Sequence, residues 1–174
     1  MNRALQIANY VISLALNREI NITNLHLQKI LYYLQAESLT RTGEPLFEGS
    51  IEKWRLGPVI PSVYHEYKEF GSQPIKEIAT EIVFDPDTMG IDFIEFDADD
   101  IAIQTRETIL PLVEILLNKN PFSLVDKTHE HAPWKDFRDQ IESGVRGLEY
   151  TNDEVLSFFN ERPDKLTEVL GGER

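Results

Sequence analysis

Residues 54–67 read WRLGPVIPSVYHEY, and this stretch fixes how two predicted helices are connected. Pro61 suits the first turn of a helix, because its missing N–H group is not needed there. The Gly-Pro pair and the second proline therefore predict a stiff connection that loses little entropy when it orders. Such a connection can hold Trp54 and Arg55 in a set position. Just before it, only the segment 51–56 is long enough to form a short extended piece.

The flanking segments carry helical periodicity. Apolar residues recur at helical spacing from about residue 3 to residue 17, which predicts a first helix with Asn2 as its N-cap. Thr23 can cap a second helix that Gly43 ends, and the apolar stripe of this helix is broad enough to predict packing on two sides. A third helix follows the proline pair and ends at Gly71. Its predicted buried face consists of Val63, Tyr64, Tyr67 and Phe70.

The second half of the chain combines a hairpin signal with further helix signals. Segments 82–84 and 91–96 are predicted to pair as a small β-hairpin near residues 82–96. The helical pattern resumes at about Asp99, and Pro111 is predicted to kink that helix because it removes one backbone hydrogen bond. Further helices are predicted from Asn120 and Pro121 to about His129, near Trp134, and from Thr151 or Asn152 to Glu161.

These signals predict a mainly α fold. We expect a single compact helical domain over residues 1–162 with about six to seven helices. Residues 163–174 begin with a proline and are predicted to form a flexible C-terminal tail.

The charge of the chain is strongly acidic and unevenly placed. The formal net charge is -13 at pH 7, and residues 77–100 hold nine acidic residues and no basic one. This charge repels nucleic-acid phosphates and anionic membrane surfaces, so direct nucleic-acid binding is not expected and a basic protein partner is the natural match. The alternative is that the acidic run is only a solvated loop.

The composition also indicates the compartment. There is no cysteine, which fits a reducing cytoplasm. The N-terminal segment predicts an amphipathic helix instead of a signal peptide, and no run approaches the roughly 18 apolar residues of a membrane span. We therefore expect a cytoplasmic protein without a membrane segment.

No motif for catalysis or metal binding stands out. The loop 85–96 resembles a calcium loop but has Met89 and Phe96 where oxygen ligands belong. On a helix, His129 and His131 would point about 200 degrees apart and so could not share one metal ion, although in an extended segment they could. The chain is therefore predicted to be no enzyme and to hold no metal or cofactor. We expect His129 to cap the C-terminus of its helix and Trp134 to lie in the core.

Three segments resemble a known family. They are LHLQKILYYLQAESLTRTGEPLF at residues 25–47, IEKWRLGPVIPSVYHEY at residues 51–67 and LVDKTHEHAPW at residues 124–134. In order and spacing they resemble the signature blocks of the Panacea domain family, which includes SocA-like antitoxins and phage-associated proteins. The resemblance extends over about residues 3–160 and is most specific in the double-proline block.

The resemblance implies a compact helical domain that acts by binding proteins. It implies an antitoxin that neutralises a toxin encoded by the adjacent gene, with a AAA+ protease as a further partner, and no cofactor. The alternative is a phage or prophage accessory protein, or a protease adaptor, that binds a host protein without a cognate toxin. Because Trp and Arg are common hot-spot residues, we expect the partner interface around Trp54, Arg55, Tyr64, His65, His129 and Trp134.

Overall fold

The computed structural model describes residues 1–171, and helices dominate this part of the chain. The helices are α1 (Ala4–Asn17), α2 (Asn24–Thr42), α3 (Pro61–Glu66), α4 (Ile103–Leu117), α5 (Pro121–Glu130), α6 (Ala132–Lys135), α7 (Arg138–Glu142), α8 (Asn152–Glu161) and α9 (Pro163–Leu170). Short 3-10 helices lie at Lys68–Phe70 and Ala98–Asp100. The predicted mainly α class is confirmed.

Short strands form three small sheets among the described residues. The strands are β1 (Asn2–Arg3), β2 (Phe47–Glu48), β3 (Ile51–Trp54), β4 (Gly57–Val59), β5 (Glu81–Asp85), β6 (Gly90–Ile94) and β7 (Glu149–Tyr150). Strand β1 pairs with β2 in parallel, β3 lies between β4 and β7, and β5 pairs with β6. The last pair is antiparallel and confirms the predicted hairpin.

Helix α2 is the centre of the core. Every residue from 26 to 37 is buried, and the helix packs against α1, α4, α5, α8 and β4. Its ends are those the sequence predicts: the Thr23 side chain accepts a hydrogen bond from the His26 N–H group, and Gly43 adopts a left-handed conformation with φ 76°. Burial on several sides explains why its apolar stripe is so broad.

Three predictions about helices are corrected. Residues 1–171 contain nine α-helices, more than the predicted six to seven. The two extra ones are α7, which is too short to show a helical period, and α9, which lies in the segment predicted as a tail. Residue 3, and not Asn2, occupies the N-cap position of α1, because the Asn2 side chain donates to the Leu46 carbonyl at 2.9 Å. Helix α3 ends at Glu66, and the 3-10 turn Lys68–Phe70 completes the connection to Gly71.

The segment after residue 162 also differs from the predicted flexible tail. Residues Pro163–Leu170 form α9, which buries Leu166, Val169 and Leu170. The helix packs against α2, α4 and α8. Residues 172–174, the rest of the predicted tail, lie outside the described residues.

The lengths and hydropathy of the helices bear on whether one of them could cross a membrane. None of those within residues 1–171 combines the length and the apolar character needed to cross a membrane.

Candidate partner-binding surface

A surface groove lies beside the segment 54–67, which contains the Gly-Pro pair and the second proline. Its volume is about 450 Å³, and its walls include Trp54, Arg55, Tyr64, Ile141, Val145 and Arg146. Three parts of the chain meet there: the turn after β3, helix α3, and α7 with the loop that follows it. The groove is therefore a product of the tertiary fold, although two of its walls come from one short segment.

The aromatic wall of the groove is held rigidly. The rings of Trp54 and Tyr64 meet edge to face with centroids 4.8 Å apart. The Trp54 indole N–H donates to the Glu52 carboxylate at 2.7 Å. Because the polar atom of Trp54 is already bonded, its ring offers an apolar and half-buried surface. Aromatic pairs of this geometry are favourable contact surfaces for a partner.

Two guanidinium groups give the groove its charge. Arg55 and Arg146 line it, Arg55 is exposed, and among residues 1–171 neither side chain forms an ion pair. Lys53 is different, because its ammonium group is buried, bonds Glu154 at 2.8 Å and lies 3.6 Å from the Phe137 ring centre. The two free guanidinium groups suit carboxylates or a carboxy terminus of a protein partner.

Trp134 and His129 support the groove from behind. The Trp134 indole N–H donates to the Trp54 carbonyl at 2.8 Å, and Trp134 is only 2% exposed. The His129 ring stacks on Trp134 with centroids 3.7 Å apart and planes 15° apart. Burial lowers the pKa of His129, and a hydrogen bond with the backbone of Arg55 opposes this shift. His129 and Trp134 therefore position the Trp54 segment, and the predicted core location of Trp134 is confirmed.

The predicted helix-capping role of His129 is wrong. Helix α5 continues to Glu130, and His131 is its C-cap residue. The His129 ring is occupied by its stack on Trp134, and its Nε2 atom has no hydrogen-bond partner among the described residues. In place of the expected bond to a helix carbonyl, the His129 ring hydrogen-bonds the backbone of Arg55 and stacks on the Trp134 indole.

Polar side chains of α2 clamp the other side of the same segment. The Gln28 side-chain oxygen accepts from the Ile60 N–H group at 2.8 Å, and its amide donates to Asn24 at 2.9 Å. The Lys29 ammonium donates to the Pro58 carbonyl at 2.9 Å. The Asn24 amide donates in turn to the Tyr64 carbonyl at 3.0 Å. The LQK and GPVIP motifs thus contact each other through satisfied buried hydrogen bonds.

The predicted interface residues divide into two groups. Trp54, Arg55 and Tyr64 line the groove, and His65 is exposed next to Tyr64 with ring centroids 5.5 Å apart. His129 and Trp134 lie behind the groove and serve it indirectly. Sequence reasoning missed Arg146, whose only signal is the pair of glycines in GVRG at residues 144–147.

The two neighbouring histidines of the third family motif lie in different surroundings. His131 is buried against Phe158 and Phe159, whereas His129 stacks on Trp134. Burial lowers the pKa of His131 to about 4. Within residues 1–171, no group of three or more His, Cys, Asp or Glu side chains could hold a metal ion.

A mainly helical domain with an open aromatic and cationic groove is the class that the structure defines. Residues 27–135 match the family described as Antitoxin SocA-like, Panacea domain. The chain belongs to this family, and the match includes Trp54, Arg55 and Tyr64 of the groove and the supporting residues Gln28 and Lys29 of α2.

Two curated proteins are similar to parts of the chain. Antitoxin SocA of Caulobacter vibrioides (strain NA1000 / CB15N) is 39% identical over 69 residues, which cover 40% of this chain and 37% of that protein. Catalase HPII of Mycobacterium avium is 29% identical over 92 residues, which cover 53% of this chain and 12% of that protein. The chain thus spans well under two thirds of each of these relatives. No solved structure matches.

Proposed function

We propose that this protein is an antitoxin that neutralises a toxin by direct protein–protein binding. The observation that carries the proposal is membership of the SocA-like Panacea family over residues 27–135. The similarity to Antitoxin SocA supports the same role. The toxin is expected to be the product of the adjacent reading frame.

The internal hydrogen bonds of the family-motif side chains support a binding role. Gln28 and Lys29 are committed to internal hydrogen bonds that shape the segment 57–60. Trp134 is likewise committed, through its bond to the Trp54 carbonyl. A rigid surface formed in this way loses little entropy when a partner binds. We therefore propose that the protein acts by complementarity of surfaces and not as an enzyme.

Co-expression tests the proposal. The neighbouring reading frame is expressed from an inducible promoter, alone and together with this chain. We expect growth arrest by the neighbour alone, relief of the arrest by co-expression, and a complex of the two proteins that survives purification. A neighbour that does not inhibit growth, or an arrest that this chain does not relieve, would contradict the proposal.

The alternative functions give different results in the same cells. A protease adaptor would shorten the half-life of its bound protein only when a AAA+ protease is present, whereas simple neutralisation leaves the bound toxin stable. A phage accessory protein without a toxin would bind a host protein and leave the neighbouring gene product unbound. The half-life of the neighbour, measured with and without this chain, separates these cases.

A further inference from the structure

The hairpin formed by β5 and β6 exposes an unusual apolar face. Ile82, Phe84, Ile91 and Phe93 are 66%, 56%, 60% and 70% exposed. The strand register pairs Ile82 with Phe93 and Phe84 with Ile91. Since side chains alternate between the two faces of a strand, these four lie together on one face of the hairpin. We call them the hairpin face.

Residues outside the hairpin hold it against the rest of the domain. Glu81 pairs with Arg3 at 2.9 Å, and just before β5 the backbone of Ala79 bonds the side chains of Asn9 and Tyr67 at 2.9 and 3.0 Å. Val83 and Ile94, which alternate with the hairpin face, are partly buried. A two-stranded hairpin is marginally stable alone, so these anchors hold it in place while the hairpin face stays uncovered by residues 1–171. A contiguous apolar face of this kind is typical of an interaction site.

The charges around the hairpin face indicate which kind of partner it binds. Residues 77–100 contain nine acidic residues and no basic one. Asp87 in the turn and Glu95 just after β6 are exposed and form no ion pair among the described residues. An apolar centre with an acidic rim is complementary to a protein surface with apolar side chains surrounded by Lys and Arg.

The same charges disfavour the other occupants. A second copy would bring two acidic rims together, and like charges placed opposite each other are destabilising. An anionic membrane or a nucleic acid would be repelled. The groove at Arg55 and Arg146 carries the opposite charge, so it does not suit the same basic partner.

We propose that the hairpin face is the surface that docks the toxin, and that the docking region of the toxin is apolar with a basic rim. This inference rests on the proposed antitoxin function and specifies the surface that performs it. The groove beside Trp54 is then not the primary contact.

The double variant Phe84→Ser/Phe93→Ser tests this surface. Both side chains are exposed, so the fold should persist, which thermal unfolding checks. Using the purified product of the neighbouring reading frame as the probe, we expect its Kd for this variant to rise about 100-fold, because two central aromatic contacts are removed. Growth rescue should be lost in parallel.

The matched control is Ile103→Ser/Phe122→Ser. These two apolar side chains are 54% and 62% exposed, but they lie in α4 and α5, outside the hairpin. The control should leave the Kd within about threefold of the wild type, as expected for exposed residues outside an interface. An equal loss of affinity in both double variants would mean that exposed apolar side chains affect the Kd wherever they lie, which would contradict the proposal.

Each other outcome is equally informative. If Phe84→Ser/Phe93→Ser binds like the wild type while Arg55→Ala/Arg146→Ala does not, the groove is the docking surface and the inference is wrong. If light scattering shows a dimer of the pure protein that only the hairpin variant dissolves, a second copy covers the face and the inference is again wrong. If the wild type itself neither binds nor rescues, the proposed function fails first.

A second measurement does not depend on variants that fold. Backbone amides of residues 81–94 in the wild-type protein should exchange more slowly with deuterium when the toxin is added. Unchanged exchange in this segment, together with protection elsewhere, would overturn the proposal.

Discussion

At the scale of single residues, the family motifs are mainly explained by buried hydrogen bonds. Gln28, Lys29 and Asn24 lie on α2 and bond the segment from Pro58 to Tyr64. Leaving such buried groups unpaired costs about 1–3 kcal/mol each. These polar residues interrupt the apolar pattern of α2 because they hold the connection to the next helix.

Lys29 makes the stability of the protein dependent on pH. Burial lowers its pKa from 10.5 to about 7. The unfolded chain therefore binds more protons between these two values, so the free energy of unfolding should rise with pH, on the order of 3 kcal/mol from about pH 7 to about pH 9.5. Lys29→Met should remove most of this rise. Urea unfolding at the two pH values measures it.

Other groups interfere little with this comparison. The lowered pKa of His131 reduces the free energy of unfolding mainly below about pH 6.5. The raised pKa of buried Tyr33 reduces it mainly above about pH 10. An equal rise in the wild type and in Lys29→Met would show that Lys29 is not the group responsible.

At the scale of elements, the β3–β4 connection depends on a close approach to two helices. Gly57 has φ +90°, and a Cβ atom there would lie 2.5 Å from Thr128 Oγ1 and 3.1 Å from Lys29 Cε. Thr128 cannot easily move, because it is buried and donates to the Val125 carbonyl at 2.8 Å. The glycine thus lets the second and third family motifs pack against each other.

Gly57→Ala should be strongly destabilising. We expect a loss of about 3–5 kcal/mol, since the strain of the positive φ adds to the steric overlap. Gly144→Ala is the matched control, because Gly144 has φ +91° but nothing within 4 Å of its Cβ position. The control should cost only about 1–2 kcal/mol. Similar losses in chemical denaturation of both variants would mean that the close approach contributes nothing.

Helix α9 should contribute to stability as part of the core. Leu166 is 1% exposed, so Leu166→Ala should lower the free energy of unfolding by about 2–5 kcal/mol. Thr167→Ala on the same helix should change it by about 0.5 kcal/mol or less. Urea denaturation that shows no loss for Leu166→Ala would restore the prediction of a flexible tail.

At the scale of the whole molecule, the net charge of -13 is concentrated near the hairpin. Charge of this kind accelerates the encounter with an oppositely charged partner more than it strengthens the final complex. Elsewhere in the chain, acidic and basic residues are mixed, so they contribute less direction to this field.

The association rate with the toxin should therefore depend on salt. We expect it to fall about tenfold between roughly 0.05 and 0.5 M NaCl, because the Debye length shortens. Asp87→Asn/Asp92→Asn/Glu95→Gln should flatten this dependence, whereas Glu161→Gln on α8 should not. Stopped-flow mixing measures the rates, and a rate independent of salt in the wild type would argue against electrostatic steering.

How much of the candidate site could be predicted depended on distance along the chain. Trp54, Arg55 and Tyr64 lie within one short segment and were predicted to share a partner interface, which stays a prediction; the structure places all three in the walls of one groove. Arg146 joins them from far along the chain, and no local pattern reports such a contact. The stack of His129 on Trp134 was missed for a different reason. A histidine near the end of a helix can either cap the helix or stack on a neighbouring ring, and the local sequence does not distinguish the two.

The sequence by itself determined the helical class, the ends of α2 and the pairing of the hairpin, because periodicity, capping and turn residues act between near neighbours. Only the tertiary structure decided that α9 packs into the core, which residues complete the groove, and that the hairpin face stays uncovered by residues 1–171. Burial is a relation between distant segments, and a short stretch of sequence does not specify which other segment will cover it.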